Sequence, residues 1–162
     1  MSEDPQRFRA AAAALPGGVA VVTLSWRGTM HAMTVSSVAS VSLDPPLVLF
    51  CVHEDARVRE ALDDVDAWSL SVLSADQASV ADWLSSPGRP AVDQLNRVPH
   101  HGAPQSGTPW VDGAAAWFDC RTEAVHRAGD HDVVVGRVLV ARRGAAGAGG
   151  LVHLDGRLRA VR

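Results

Sequence analysis

Alternating apolar and polar positions in the first third of the chain predict antiparallel β-strands. Val19–Trp26 and Thr29–Val35 are rich in β-forming residues and flank the turn-forming pair Arg27-Gly28, so together they predict a hairpin. Val38–Leu43 alternates Val with Ser and predicts a third strand, which ends where two prolines interrupt the pattern. Leu47–Val52 is a continuous apolar run of strand length, and such a run predicts a strand buried on both faces.

Three segments have helical composition instead. Phe8–Leu15 predicts a helix that stops at Pro16-Gly17-Gly18. Asp55 is positioned to cap a short helix with apolar residues at helical spacing, namely Val58, Ala61 and Leu62. Ser74 and Gln77 match a capping box, and the helix after them has one apolar face formed by Val80, Trp83 and Leu84.

The remainder of the chain again predicts strands, apart from one long loop. Ser85–Pro109 is rich in Pro, Gly and His, so we expect it to be a long surface loop, which we call the excursion. Further strands are predicted in four ranges, which are Trp68–Leu73, Ala114–Val125, His131–Arg142 and Leu151–Val161. Many β runs with a few short helices favour a mainly β fold, a barrel with helical decoration, over an alternating α/β sheet.

Composition limits the possible chemistry. A length of 162 residues suits a single domain covering 1–162, and a net charge of −3 argues against a nucleic-acid partner. All 15 basic residues are Arg and the chain has no Lys, which excludes a Schiff-base lysine and a P-loop lysine. No apolar run is long enough for a bilayer, and Met1–Arg9 is too polar for a secretory signal. With two Cys residues and no C-x-x-C motif, we expect reduced thiols, a cytoplasmic location and no metal site.

The segment after the predicted hairpin concentrates small hydroxyl side chains. Thr34, Ser36, Ser37, Ser40 and Ser42 fall within nine positions, shortly before Pro45-Pro46. Such a stretch can present hydroxyl and backbone N–H groups to a flat polar ligand while its Val residues face the core. Fixed N–H donors suit a flavin, whose N1–O2 edge gains negative charge on reduction. The alternative interpretation of the same composition is an ordinary Ser-rich edge strand.

Five short motifs in order resemble the flavin reductase-like family, which has the FMN-binding split β-barrel fold. The resemblance extends from about Phe8 to Arg159. It rests on Gly17–Thr23, Thr34–Ser37, Ser40–Phe50, Val72–Gln77 and Gly129–His131. The family includes the reductase components of two-component flavin monooxygenases. The resemblance therefore implies an NAD(P)H-dependent flavin reductase that uses NADH or NADPH to reduce FMN or FAD.

The resemblance also implies roles for individual residues. Thr34, Val35, Ser36 and Ser37 would line the isoalloxazine ring, and Ser40 would extend toward the ribityl or phosphate end. A wall of the flavin site would be formed by Cys51, Val52 and His53 at the end of the apolar strand. Arg57 begins the next helix, where it suits a phosphate, although a solvated helix charge is an equal alternative.

For three further residues the resemblance implies a role in the site, while a structural explanation is also possible. Gln77 is expected near the flavin, and a capping-box Gln also explains it without a ligand. Trp83 matches an aromatic position of the family but also suits the core. His131, presented by the Gly129-Asp130 turn, is the candidate catalytic residue that orients the nicotinamide, whereas a His beside an Asp is commonly structural. His153 and Gly156 would form the other side of that pocket.

The resemblance further implies a homodimer, since the family builds its flavin sites at or near the dimer interface, and a partner monooxygenase that receives reduced flavin. Two rival functions remain open. The first is a flavin-binding electron-transfer module that retains FMN and has no nicotinamide turnover. The second is a split-barrel oxidase resembling pyridoxamine phosphate enzymes, for which the absence of Lys and Tyr makes a phosphate-clamping substrate site harder to build.

Overall fold

A computed structural model of the protein describes residues 4–162, so Met1–Glu3, the start of the polar N-terminal segment, lie outside it. The helices are α1 (Pro5–Ala13), α2 (Arg57–Ala61) and α3 (Ala78–Ser85). The strands are β1 (Gly17–Gly18), β2 (Ala20–Trp26), β3 (Thr29–Val35), β4 (Val38–Leu43), β5 (Pro46–His53), β6 (Ala67–Val72), β7 (His100–Gly102), β8 (Pro109–Val111), β9 (Ala116–Ala128), β10 (His131–Arg143), β11 (Gly150–Leu154) and β12 (Arg157–Val161).

Seven of these strands form one antiparallel sheet in the order β3-β2-β6-β9-β10-β5-β4. Strand β3 also approaches β5, so the sheet curls back on itself toward a barrel. A three-stranded sheet, β1-β11-β12, and the small pair β7-β8 complete the strand pairing of the described chain. The predicted mainly β class with a few short helices is confirmed.

Two apolar clusters stabilise this arrangement. The first fills the barrel and includes Phe50 and Trp68, whose rings meet edge to face at 4.9 Å. The second lies between β2, α3 and β11, and it includes Val21, Leu84 and Leu151. Because the faces of β2 alternate between the two clusters, this strand is buried on both sides.

Local sequence signals agree with the structure in most elements and fail at several. The predicted strand Leu151–Val161 is a hairpin of β11 and β12, because the chain turns at Asp155-Gly156. The bounds of β3 and β4 are those predicted. Strand β5 alternates instead of being buried on both faces, because only Val48, Phe50 and Val52 point into the barrel. Asp55 does not cap α2, because the N-cap is Ala56 and it makes no side-chain capping bond.

The excursion after α3 is held in place by three hydrogen bonds. The Trp83 indole N–H donates to the Gln94 backbone carbonyl at 2.8 Å, and the Ala32 backbone N–H donates to Gln94 Oε1 at 2.9 Å. Arg89 donates to the Ala32 carbonyl at 3.0 Å. The excursion therefore folds over the middle of β3, where it helps to enclose the cavities described below. Its second half is more buried than predicted, because Val98, Ala103 and Thr108 are buried.

No helix among residues 4–162 has the length and apolar character needed to cross a membrane. The thiols of Cys51 and Cys120 are unpaired. Burial, with a smaller contribution from neighbouring Asp119, raises the pKa of the Cys120 thiol far above its usual value. Cys120 is therefore a neutral core residue.

Candidate functional site

Two adjoining cavities open where β3, α3 and the excursion meet. The inner cavity, about 330 Å³, is bounded by residues of β3, α3 and the β11–β12 hairpin, among them Ser36, Asp82, His153, Gly156 and Leu158. The second, which we call the basic cleft, is about 480 Å³ and lies between β3, α2 and the excursion. Thr34 and Ser85 line both cavities, so the two lie side by side.

Backbone packing fixes the hydroxyl groups of the inner cavity. Thr34 Oγ1 donates to the Ala81 carbonyl at 2.8 Å, which ties the end of β3 to α3. Gly17 pairs with His153 across the β1–β11 ladder, and its α-carbon faces the Ser36 carbonyl so closely that no side chain would fit. One glycine therefore brings Ser36 and His153 to the same cavity.

The basic cleft is rich in nitrogen donors and contains no acidic side chain among its described lining residues. Arg57, Arg89 and His31 contribute the basic groups. Arg89 Nε and His31 Nδ1 are buried and have no hydrogen-bond partner. Burial, with a smaller effect of neighbouring Arg57, lowers the pKa of His31, and burial also lowers the pKa of Arg89. Because unpaired buried donors are costly, an acceptor-bearing ligand is the natural complement of this cleft.

Other predicted residues gather at the ends of β5 and β10. Ser37 Oγ donates to the Cys51 carbonyl at 3.1 Å and accepts from the Cys51 N–H at 3.2 Å. His53 and His131 face each other across the ladder, with ring centroids 5.1 Å apart and planes nearly perpendicular. His131 Nδ1 lies 2.7 Å from Asp130 Oδ1, and this hydrogen bond lowers the pKa of the Asp130 carboxyl. His131 is exposed and is held in one orientation by its acidic neighbour.

The structure thus sorts the predicted residues into three sets. Five line the adjoining cavities, namely Thr34, Ser36, Arg57, His153 and Gly156. Four lie at the β5–β10 end, namely Ser37, Cys51, His53 and His131. The remaining five, Val35, Ser40, Val52, Gln77 and Trp83, line neither cavity.

Structural roles account for most of this last set. Val35 and Val52 turn their side chains into the barrel core, which leaves only backbone groups for a ligand. Gln77 accepts from the Ser74 N–H at 3.0 Å and donates to the Asp112 carbonyl at 2.7 Å, so its side chain has a structural role. The predicted capping box is only half formed, because the N-cap of α3 is Gln77 itself and it makes no side-chain capping bond. Trp83 anchors the excursion through Gln94. Ser40 is an exposed residue of β4.

Sequence reasoning missed His31 and Arg89 as site residues. His31 lies on the face of β3 opposite to Thr34, so strand alternation from the Thr34 motif does not identify it. Arg89 lies in an irregular segment whose position depends on tertiary contacts with β3, so no local pattern identifies it.

The combined cavities have the chemistry expected for a ligand that is planar and polar at one end and anionic at the other. Hydroxyl groups and backbone of β3 surround the inner cavity, while two guanidinium groups line the basic cleft. The Arg57 and Arg89 guanidinium groups suit a phosphate, whose oxygens accept charge-assisted hydrogen bonds. The residues present therefore fit a flavin nucleotide.

Comparison with known proteins agrees with this chemistry. Residues 12–162 match the family model described as the flavin reductase like domain. The chain is 35% identical over 158 residues to a Streptomyces globisporus NADH-dependent FAD reductase, covering 97% of this chain and 86% of that protein. It is 40% identical over 137 residues to the FMN reductase (NADH) SmoA of Agrobacterium fabrum, covering 85% and 76%.

A solved structure is similar over nearly its whole length. It is that of BorF, the flavin reductase component of a bacterial two-component tryptophan halogenase. The TM-score is 0.91 at 38% sequence identity, and the match covers 98% of each chain. The curled sheet and its helices are therefore arranged as in that structure.

Proposed function

The chain belongs to the flavin reductase-like family, and from this membership we propose that it reduces FMN or FAD with a reduced nicotinamide cofactor. The reaction transfers a hydride from C4 of NADH to flavin N5, and a proton from solvent completes the reduced flavin. The observation that carries the proposal is the inner cavity lined by hydroxyl side chains, which adjoins a cleft with two arginines. The similarity to NADH-dependent FAD and FMN reductases supports NADH as the reductant.

The proposed binding roles follow from position. Thr34 and Ser36, with the backbone between them, would hold the isoalloxazine edge in the inner cavity, and Arg57 would meet the phosphate in the basic cleft. Bound flavin supplies the hydride acceptor. The chain's own contribution is to fix donors in advance, since preorganised donors stabilise developing charge at little reorganisation cost.

His131 is proposed to orient the nicotinamide. Its ring is exposed, it is held by Asp130 and packed edge to face against His53, and it lies on the strand adjacent to Cys51. A ring nitrogen facing solvent can hydrogen-bond a carboxamide, and such positioning contributes to rate without any covalent step. His153 and Gly156, which line the inner cavity, are proposed to form the other side of the nicotinamide pocket.

The outer face of the main sheet supports a homodimer. Leu47, Leu49, Val133 and Val135 share this face on the paired strands β5 and β10, and none belongs to either core cluster. We call them the apolar stripe. Cys51 continues the stripe toward His131, so a second copy seated on it would come close to the β5–β10 end of the site. A flavin site completed by both copies is therefore part of the proposal.

The remaining elements of the proposal concern cellular context. We propose that residues 1–162 act as one flavin reductase-like domain in the cytoplasm, where NADH is available and the two unpaired thiols stay reduced. The reduced flavin would pass to a partner monooxygenase. The likeness to the reductase component of a two-component system supports such a partner.

The first experiment measures steady-state oxidation of NADH and NADPH by the purified protein with FMN, FAD or no flavin. Turnover that requires added flavin and saturates with it supports a reductase that treats flavin as a substrate. A folded protein that binds flavin but oxidises neither nicotinamide would refute the proposal in favour of the electron-transfer module.

His131→Ala separates the reductase from that rival. We expect the KM for NADH to rise about tenfold while flavin binding, followed by fluorescence quenching, stays within twofold. His101→Ala is a matched control, because His101 is also exposed and paired with an acidic residue, Asp112, yet lines neither cavity. Identical NADH kinetics in the two variants would remove His131 from the site.

A further inference from the structure

We propose that the basic cleft holds the adenylate half of FAD, so that Arg89 and His31 make the protein select FAD over FMN. The inference rests on the proposed function and identifies the substrate of the same site. Family membership does not decide the matter, because similar proteins include both an FAD reductase and an FMN reductase. The argument depends on what the cleft contains beyond the needs of a single phosphate.

The cleft carries two guanidinium groups. FMN carries one phosphate, and Arg57 at the start of α2 is available for it. Arg89 adds a second guanidinium to the lining, and its terminal nitrogens also donate to the Ser86 and Ala32 carbonyls. FAD has one more phosphate than FMN, and a pair of guanidinium groups suits its diphosphate.

His31 provides a different kind of contact. It is buried, its Nδ1 has no partner, and its depressed pKa keeps the imidazole neutral at pH 7. A neutral imidazole has one donor and one acceptor nitrogen, so Nδ1 can pair with a ribose hydroxyl, an adenine amino group or a phosphate oxygen according to its tautomer. FMN bound through Arg57 alone would leave this nitrogen unpaired.

The rest of the lining is apolar and suits a nucleobase. Between the basic groups the wall is formed by Met33, Ala56, Val58, Leu84, Pro87 and Ala91. The cleft, at about 480 Å³, is larger than the inner cavity of about 330 Å³. A mostly apolar wall with a few polar groups is typical of small-molecule sites and offers a nucleobase both stacking surface and hydrogen bonds.

Steady-state kinetics with FAD and with FMN test the assignment. For Arg89→Gln we expect the KM for FAD to rise about tenfold and the KM for FMN to stay within twofold, because only FAD loses a charge-assisted hydrogen bond. ADP should inhibit the wild-type protein competitively against FAD and less strongly in the variant. Arg97→Gln is the matched control, since Arg97 lies in the same excursion but lines neither cavity.

A second variant covers the case in which Arg89→Gln disturbs the excursion. Ala91→Phe removes no hydrogen-bonding side chain and fills the cleft, so it should raise the KM for FAD and spare that for FMN. Equal increases for the two flavins in both variants would overturn the proposal, since the cleft would then hold a group that FMN also has. Unchanged KM values for FAD would overturn it as well.

Binding of ADP to the wild-type protein, measured by calorimetry, separates this proposal from the proposed function. Absence of flavin-dependent NADH oxidation together with ADP binding that Arg89→Gln weakens would refute only the reductase function. Normal flavin reduction without any ADP binding would refute only the adenylate assignment.

Discussion

Gly17 shows how one missing side chain positions two functional residues. A Cβ at this position would collide with the Ser36 backbone carbonyl, and a backbone atom cannot move aside as a flexible side chain can. We therefore expect Gly17→Ala to displace Ser36 from the inner cavity, raise the KM for flavin several-fold and cost about 1–3 kcal/mol of stability.

The neighbouring glycine provides the control for this prediction. At Gly18 an added Cβ would meet only Val38 Cγ2, at an ordinary contact distance of 3.9 Å. Flavin kinetics and urea denaturation of the two alanine variants make the comparison. Equal behaviour of Gly17→Ala and Gly18→Ala would contradict the role of close approach at Gly17.

His31 predicts how stability responds to acid. Burial, and secondarily Arg57, lowers its pKa in the folded state below the ordinary value near 6.5, against a weaker opposing effect of Glu60. Below that value the unfolded chain binds more protons than the folded one, so the protein loses stability as the pH falls below about 6.5. In His31→Gln this loss is absent, and the decrease in Tm between pH 7 and pH 5 should be smaller than in the wild type. Parallel Tm profiles would contradict the prediction.

At the scale of elements, α2 depends on the ion pairs of Arg59. This helix of five residues has no side-chain cap, and Arg59 attaches it to Asp132 of β10 and to Asp63. The Asp132 side chain is only 6% exposed, and its Oδ1 has no partner. Removing Arg59 would therefore leave a buried carboxylate uncompensated, which is much more costly than losing an exposed pair.

We expect Arg59→Leu to lower the free energy of unfolding by about 3 kcal/mol in urea denaturation. The control is Arg121→Leu, which breaks the exposed pair with Asp66 and should cost less than about 1 kcal/mol. Restoring neutrality with Arg59→Leu/Asp132→Leu should recover part of the loss. A double variant no more stable than Arg59→Leu would indicate that the helix needs the guanidinium for another reason.

Elements were predictable from sequence where a local pattern determines them. Strands β3 and β4 have the predicted bounds because alternation and the adjacent turn or prolines specify both ends. The prediction that Asp55 caps α2 was wrong, because the helix begins at Arg57 and its N-cap position is occupied by Ala56. Thr34 and Ser36 followed from the family resemblance, whereas Arg89 depends on how the excursion docks on Ala32, a contact between residues 57 apart in sequence.

At the scale of the whole molecule, the apolar stripe predicts the oligomeric state. Strand β5 was expected to be buried on both faces, and its outer residues Leu47 and Leu49 are in fact half-buried in the single chain. A second copy on this face would remove them from water. An interface on the outer face of β5 therefore explains why the sequence of this strand is continuously apolar. Apolar area buried between copies stabilises a dimer as it does a core.

Leu49→Arg tests this prediction, because it places an unpaired charge in the centre of the stripe. We expect light scattering to give a mass of twice 17.1 kDa for the wild-type chain and of 17.1 kDa for the variant. Val161→Arg changes an exposed residue of β12 in the three-stranded sheet and should leave the dimer intact. If the copies complete each other's flavin sites, the Leu49→Arg monomer also loses flavin-dependent NADH oxidation while remaining folded. A fully active monomer would confine the site to one chain and leave the stripe a purely structural interface.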